Sequence, residues 1–396
     1  MGLELGQRIA FLRTQLGIQS QELAQRVELS PSAMSQIESG QRQIKAEELS
    51  RIASELNISP LAILRPDSFA AKMPVALRTS DSDSSEGTLM SYIRWLADVQ
   101  EIIQKYTSKP EMTFQPKSVD FEVNWLEQSR EMADAVNDVL SDQWRSGNAK
   151  LSNLKSAIEE SLGIDVLFVE GPDNDLLGAA VTSAVLPLIV INSNQSQPRA
   201  LFTLAHELGH LLSGGNSTLI TDRTFAGAVN PVERFANAFA AEFLLPTKYV
   251  ETIKLEYSDA VMLIAQLLAY SGVSWKTLVY RLHNLGIINA NRRDQLIRIG
   301  PASVEYAAAQ NGLSVSLIND MSPATPEPSR WISGALILAA REKEIGIDPV
   351  SHLIQRSDEE TENLVYGDRF SSALSRVEFG EVDSELRDEA FADFPV

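Results

Sequence analysis

The chain has 396 residues, of which 44% are hydrophobic and 22% charged, and it contains no cysteine. This length suffices for two or three domains with cores of their own, and the lack of cysteine excludes disulfides and thiolate metal sites. The net charge of −19 argues against non-specific binding of nucleic acid by the whole chain. No stretch approaches the ~18 to 20 uninterrupted apolar residues of a membrane span, and no signal-peptide pattern is present at the N-terminus, so we expect a cytoplasmic protein without membrane contact.

Residues 1–65 have the apolar spacing of a compact set of five helices. Ser30 and Pro31 form an N-cap followed by a proline in the first helical position, and Gly40 follows the end of the helix that they begin. A turn at residues 27–29 joins this helix to the preceding one. Two short helices joined by such a turn predict a helix-turn-helix.

Two runs in this segment, Gln21-Glu-Leu-Ala24 and Leu29-Ser-Pro-Ser-Ala-Met-Ser-Gln-Ile-Glu-Ser-Gly40, resemble the XRE/Cro-type DNA-binding family. The resemblance covers residues 1–65 and implies DNA as a partner. Four side chains would project from the N-terminal half of the second helix of the motif toward base edges in the major groove, namely Ser32, Ala33, Ser35 and Gln36. Gln21 and Arg42 are better placed to contact phosphates.

The charge of this N-terminal domain is balanced. Residues 1–65 contain seven Lys or Arg and seven Asp or Glu, so their net charge is zero. Because phosphate contacts supply much of the affinity for DNA, we expect a monomer to bind DNA weakly. This balance favours a homodimer or a protein-binding role. The alternative is a helical interaction module that never contacts DNA.

We predict four segments in the chain, at 1–65, 66–88, 89–290 and 291–396. Residues 66–88 are predicted to be a linker, because they contain the polar and acidic run Arg78-Thr-Ser-Asp-Ser-Asp-Ser-Ser-Glu-Gly87. Residues 89–290 are predicted to form one domain with its core at 160–290, where short β-rich runs form a small sheet. Residues 291–396 are predicted to be a helical C-terminal region that ends in an acidic tail.

The run Leu204-Ala-His-Glu-Leu-Gly-His-Leu-Leu212 contains two of the four histidines of the chain. His206 and His210 are four residues apart, so on a helix both imidazoles lie on one face and can bind one metal ion, with Glu207 beside them. Without cysteine the metal must be held by His, Asp or Glu, which suits a catalytic site. The alternative is a chance His-Glu-x-x-His spacing on an ordinary amphipathic helix.

A catalytic zinc ion needs three protein ligands and one open position, so a third ligand is expected downstream. The next predicted helix offers Glu233 and Asn237, which are four residues apart and share a face. Glu242 lies nine residues beyond Glu233, on the opposite side of that helix. We assign Glu233 as the third ligand and Asn237 as a hydrogen-bond partner of a ligating histidine. Glu242 is the alternative ligand, or else a structural or substrate-side carboxylate.

The run Phe202-Thr-Leu-Ala-His-Glu-Leu-Gly-His210, followed by Glu233-x-x-Ala-Asn237-Ala-Phe-Ala-Ala-Glu-Phe-Leu-Leu-Pro246, resembles the ImmA/IrrE family of zinc metallopeptidases. The resemblance extends over residues 160–290. It implies a zincin-like domain that cleaves an XRE-type repressor at a specific site. Such cleavage relieves transcriptional repression in a stress response or in the control of a mobile element.

The predicted fold is therefore α+β and mostly helical, with a five-helix helix-turn-helix domain, a metallopeptidase domain with a small sheet, and a helical C-terminal region. The predicted function is zinc-dependent endoproteolysis linked to transcriptional control. One Zn²⁺ per chain would be held by His206, His210 and Glu233, and Glu207 would act as the general base.

Two points stay open in this interpretation. A further donor to the oxyanion could be His283, Tyr249 or Tyr257, and spacing does not choose among them. The alternative function is a non-hydrolytic, DNA-binding transcriptional regulator whose peptidase-like domain senses a ligand or binds a partner. A protein substrate of the repressor type is the partner expected for the enzyme.

Overall fold

The computed structural model describes residues 2–15, 18–56, 63–64, 93, 95–96, 99, 102–106, 114, 119–140, 143–146, 150–171, 177–181, 187–213, 219–222, 231–256, 260–310, 322–354 and 356–367. The chain divides into two compact units, residues 1–104 with 217–219 and residues 105–216 with 220–396. None of the described helices combines the length and the apolar character needed to cross a membrane. The predicted linker at 66–88 and the predicted acidic tail lie outside the described residues.

The first unit contains the predicted helix-turn-helix. Its described helices include α1 (Gly2–Gln15), α2 (Ser20–Arg26), α3 (Pro31–Glu38) and α4 (Ala46–Glu55). Residues 63–64 are also helical, and the rest of the predicted fifth helix is outside the described residues. The Ser30 hydroxyl accepts a hydrogen bond from the Ala33 amide at 3.1 Å, which caps α3 as predicted. Apolar side chains from all four helices form one small core that includes Ile9, Leu23, Met34 and Ile52.

The second unit is mostly helical, which confirms the predicted fold class. Its helices are α5 (Trp125–Leu140), α6 (Lys150–Leu162), α7 (Gln197–Leu212), α8 (Pro231–Leu244), α9 (Thr247–Glu256), α10 (Ala260–Ser271), α11 (Trp275–Asn284), α12 (Ala290–Ile299), α13 (Ala302–Gln310), α14 (Arg330–Arg341), α15 (Asp348–Ile354) and α16 (Asp358–Tyr366). A 3-10 turn at Gln143–Arg145 precedes α6.

The strands form one small sheet. They are β1 (Asp165–Val169), β2 (Gly178–Val181), β3 (Leu188–Asn192) and β4 (Leu219–Asp222), in the order β1-β3-β2-β4. β3 runs parallel to β1 and antiparallel to β2. Every residue of β1, β2 and β3 is buried, which explains why these strands are apolar except for Asp165 at the start of β1 and Asn192 at the end of β3.

Helix α7 lies at the centre of the second unit. It packs against β2 and β3 on one side and against α8 on another, and α8 in turn packs against α5. Almost all of α7 is buried, including the polar side chains of His206, Glu207 and His210. Because ionisable side chains are rarely fully buried without a partner or a metal, this burial singles out the helix as a functional element.

The C-terminal region continues the second unit instead of forming a separate one. Residues 322–329 run along the outer edge of β1, where Phe168 and Glu327 exchange backbone hydrogen bonds of 2.8 and 2.9 Å. A second bridge joins Ser196 to Pro323. The edge of the sheet at β1 is therefore covered by a segment that lies more than a hundred residues later in the chain.

Candidate metal centre

The two histidines of α7 point their ring nitrogens at one place. The Nε2 atoms of His206 and His210 are 2.9 Å apart, and the two rings are nearly perpendicular at 84°. Both side chains are fully buried. Two nitrogen atoms are thus held close together in the interior by a single turn of helix.

Glu233 completes the cluster from the first turn of α8. Its Oε2 lies 3.3 Å from His206 Nε2, and its Oε1 lies 3.2 Å from His210 Nε2. Burial alone would raise the pKa of Glu233, but hydrogen bonds and charge interactions with the two histidines lower it to about 2. The side chain therefore stays a carboxylate, which is the form that binds a metal ion.

These three side chains could hold one metal ion. Their ligand atoms form one group, within 4.8 Å of one another. Ligands about 2.0 to 2.1 Å from a zinc ion at tetrahedral angles are about 3.3 to 3.4 Å apart. The distances of 3.2 and 3.3 Å from Glu233 to the histidines are close to that edge, whereas the 2.9 Å between the two histidine nitrogens is shorter. Two histidines and one glutamate are a donor set of catalytic zinc sites, in which a fourth position stays open.

Comparison with known protein families gives two separate matches, one in each of the two units of the chain. Residues 9–63 match the family model of the helix-turn-helix, and residues 159–283 match that of the IrrE N-terminal-like domain. The chain joins a helix-turn-helix domain to an IrrE N-terminal-like domain. The predicted resemblance of both regions is thus confirmed, and the family of the second region is one of metallopeptidases.

One curated relative is similar to part of the chain. It is an uncharacterized immunity region protein 2 from Bacillus phage phi105, which is 43% identical over 68 residues. The match covers 17% of this chain and 42% of the phage protein, so the chain spans less than half the length of that relative. No solved structure matches the chain significantly.

A glycine lets α7 and α8, the two helices of the IrrE-like domain that carry the candidate ligands, approach closely. A Cβ atom added at Gly209 would lie 3.2 Å from the Ala236 Cα and 2.9 Å from the Phe239 ring. Any larger residue between the two histidines would therefore separate α7 from α8 and move Glu233 away from them. The spacing of His206 and His210 predicts a shared face, but it does not indicate that the intervening glycine sets the distance to the third ligand.

Glu242, the alternative ligand, lies at the other end of α8 and does not join the cluster. Its carboxylate accepts hydrogen bonds from the Thr247 amide at 2.7 Å and hydroxyl at 2.8 Å, and from Arg281 Nη2 at 2.5 Å. Burial would raise the pKa of Glu242, but Arg281 and Thr247 together lower it. This carboxylate caps the start of α9 and pairs with a buried arginine, so its environment is structural.

The remaining predicted side chains of this domain occupy other positions. Asn237 is half-buried on α8, one turn after Glu233, and its hydrogen bond to a ligating histidine stays a prediction. Tyr249 stacks on Tyr270, with ring centroids 3.6 Å apart. His283 is half-buried in the last turn of α11, and Tyr257 lies outside the described residues. The role of oxyanion donor stays a prediction for His283 and Tyr249.

In the helix-turn-helix domain, α3 presents the predicted base-reading side chains at its surface. Ser32, Ser35 and Gln36 are exposed, Ala33 is half-buried, and Gln21 is exposed near the start of α2. Arg42 has a partner inside the domain, because its Nη2 lies 2.6 Å from Glu48 Oε1. The arginine predicted to contact phosphate is therefore held by a glutamate in this conformation.

Proposed function

We propose that the chain is a zinc-dependent endopeptidase that acts on a repressor-type protein. The observation that carries this proposal is the convergence of His206 Nε2, His210 Nε2 and the Glu233 carboxylate, with the buried Glu207 next to the first of them. The match to the IrrE N-terminal-like domain supports the same chemistry. The name of the phage relative, an immunity region protein, supports a role in the control of repression.

In this proposal, different residues bind the metal ion and transfer the proton during peptide hydrolysis. The two histidines and Glu233 would hold a zinc ion, which would supply a Lewis acid and lower the pKa of a bound water molecule toward neutrality. Glu207 accepts the proton of that water as the oxygen attacks the scissile carbonyl. It then passes the proton to the nitrogen of the departing amine. The burial of Glu207 keeps bulk water away from this proton transfer.

The helix-turn-helix domain connects this activity with transcription. Its exposed α3 carries Ser32, Ser35 and Gln36 at positions suited to reading bases, and Gln21 is exposed for a phosphate contact. We propose that this domain binds DNA as a homodimer, since two half-sites compensate for a module that offers few free cations. It thereby brings the peptidase to the promoter at which the repressor acts.

The direct test combines metal analysis with a cleavage assay. Purified full-length protein should contain one zinc ion per chain and should cleave an XRE-type repressor from the same genome. Glu207→Gln should keep the zinc and lose at least about 100-fold in kcat, the usual range for removing a general base. Glu251→Gln makes the same chemical change at an exposed site on α9 and should leave both properties intact.

Two results would contradict the proposal. Zinc-loaded wild-type protein that cleaves neither its own chain nor any XRE-type repressor from that genome would leave the non-hydrolytic regulator as the better interpretation. Equal cleavage by wild type and Glu207→Gln would show that another group accepts the proton.

A further inference from the structure

We infer that Gly178 of strand β2 is a positioning residue for Glu207, an inference that rests on the proposed peptidase function. The glycine lies where the strand passes over the face of α7 that carries Thr203 and Glu207. It contributes no atom to the reaction. Its role is to leave the space that the Glu207 side chain occupies.

The space beside Gly178 is filled from the α7 side. A Cβ atom added at Gly178 would lie 2.9 Å from both Oε1 and Cγ of Glu207 and 2.8 Å from Cγ2 of Thr203. Cβ atoms essentially never come that close to other heavy atoms. Any other residue would therefore have to displace the carboxylate of Glu207, the strand, or both.

The backbone gives no separate reason for a glycine here. Gly178 does not lie in the left-handed region of backbone conformation, where five other glycines of the described residues are found. It belongs to a regular strand, with Ile191 of β3 as its partner. An alanine could adopt this backbone, so the requirement for glycine comes from the contact with Glu207 and Thr203.

A buried amide holds the strand at this distance from the helix. Gln195 Nε2 donates hydrogen bonds of 2.8 Å to the carbonyl oxygens of Leu177 and Asn192, and its Oε1 accepts one of 3.0 Å from the Thr203 hydroxyl. Leu177 directly precedes Gly178, and Thr203 lies one helical turn before Glu207. The strand therefore cannot move away from α7 to make room without breaking these buried bonds.

Two features of β2 set the space available to Glu207. The Gln195 bridge sets the spacing between β2 and α7. The missing side chain at Gly178 leaves room for the Glu207 side chain at that spacing. Because a misplacement of about 1 Å can cost about 100-fold in rate, this space bears directly on the activity assigned to Glu207.

The contact itself is tested by unfolding experiments that need no activity. Gly178→Ala should lower the unfolding midpoint of the full-length chain. In a Thr203→Ser/Glu207→Ala background, which removes the clashing atoms but keeps the hydroxyl on Gln195, the same change should have little effect. Gly334→Ala, where an added Cβ meets nothing within 4 Å, is the matched control and should not lower the midpoint.

An equal drop in both backgrounds would overturn the inference. If Gly178→Ala alone is insoluble, a soluble triple variant supports the inference, and an insoluble one contradicts it. This experiment decides the contact even if no peptidase activity is found, so it can fail or succeed independently of the proposed function.

The positioning role is tested by kinetics. With a cleavable repressor, Gly178→Ala should lower kcat by about 100-fold while KM and the zinc content stay close to wild type. A loss of zinc, or a change in KM alone, would mean that the glycine acts on metal or substrate binding instead and would overturn its role in positioning Glu207.

Discussion

The side chains that surround Glu233 and Glu242 give these two glutamates of helix α8 different roles. Glu233 faces the imidazoles of His206 and His210, whereas Glu242 faces Arg281 and Thr247. Both have a lowered pKa, so both are ionised at neutral pH. The carboxylate proposed to bind metal is thus distinguished by the nitrogen atoms that face it, and its charge alone would not identify it.

Exchanging either carboxylate for an amide should separate the two roles. We expect Glu233→Gln to lose most of its zinc, because an amide is a poor replacement for a charged ligand. Glu242→Gln should keep the zinc but lose about 3 kcal/mol in free energy of unfolding, because Arg281 is left without its buried counter-charge. Metal analysis and urea denaturation of both variants measure these effects. Zinc loss in Glu242→Gln with zinc retained in Glu233→Gln would reverse the assignment.

The pH dependence of stability offers an independent test of the Glu242 pair. The pKa of Glu242 is lowered in the folded protein by Arg281 and Thr247 against the opposing effect of burial. The stability that the pair contributes is therefore present above the ordinary pKa of a glutamate, about 4.3, and is lost as the pH falls through the folded value. The difference in unfolding free energy between wild type and Glu242→Gln should be constant near neutral pH and should shrink in acid. A constant difference down to pH 3 would contradict this role.

Spacing along a helix accounts for much of what the sequence could predict at this scale. His206, His210 and Glu233 follow from helical periodicity and the needs of a tetrahedral metal, and the structure brings their ligand atoms together. Gly178 and Gln195 could not be found in the same way. Their contacts join a strand to a helix, and no periodic pattern relates residues in different elements.

At the scale of elements, the crossing of α7 and α8 depends on one glycine. The absent side chain of Gly209 lets α8 approach until Ala236 and Phe239 lie against the α7 backbone. This contact brings the first turn of α8, with Glu233, toward the two histidines. The metal centre is therefore a product of helix packing as much as of ligand identity.

We expect Gly209→Ala to weaken zinc binding. The added methyl group must push the helices apart, and overpacking of this kind typically costs about 1 to 3 kcal/mol even though alanine favours a helix over glycine. Zinc affinity can be measured by competition with a chelator, and stability by denaturation. Gly334→Ala in α14 has open space around the new methyl group and should leave zinc affinity unchanged. Unchanged zinc affinity in Gly209→Ala would contradict the packing argument.

At the scale of the whole molecule, the C-terminal region is joined to α6 by an ion pair and to β1 by a hydrogen bond. The Lys155 ammonium group lies 3.2 Å from Glu159 and 2.8 Å from Glu327, and the side chain of Ser329 is hydrogen-bonded to Asp165. Burial would lower the pKa of Lys155, but the two glutamates raise it. The sequence predicted helices in this region, yet it could not indicate that residues 322–329 pair with β1, because that pairing joins distant parts of the chain.

Removal of one charge from this cluster should reveal its contribution. Glu327→Gln should reduce the free energy of unfolding by about 3 kcal/mol, because Lys155 is buried and loses one of its counter-charges. Glu342→Gln is the control, since that side chain is exposed in the same region of the chain.

A chain that ends at residue 310 should be less stable still and prone to aggregation, because the edge of β1 is uncovered. Equal stability of all these forms would show that the region contributes nothing to the fold.

Most arginines of the helix-turn-helix domain form ion pairs within the domain. Among the described residues 2–15 and 18–56, four arginines pair with glutamates, as Arg13–Glu38, Arg26–Glu22, Arg42–Glu48 and Arg51–Glu28. An arginine held in this way releases few counterions when DNA binds. The domain is thus neutral overall, and most of its arginine charges are also neutralised locally by a neighbouring glutamate.

We therefore expect DNA binding to depend weakly on salt. Each phosphate contact contributes a slope of about −0.9 to the logarithm of affinity against the logarithm of salt concentration, so few contacts give a shallow slope. Gel-shift titrations of the full-length protein on its own promoter at several salt concentrations measure it. Gln36→Ala should weaken binding, whereas Gln25→Ala, exposed on α2, should not. A slope as steep as that of a protein with six or more phosphate contacts would contradict this view.

The burial of the three proposed metal ligands has a consequence for how fast an ion would exchange. Both histidines are 0% exposed, and Glu233, whose side chain is 22% exposed, is the one side chain of the three that solvent reaches. We therefore propose that an ion enters and leaves past Glu233, so that the motion of this side chain limits the rate of exchange. A chain folded without zinc would then load slowly, and a loaded chain would keep its ion long after free zinc has become scarce.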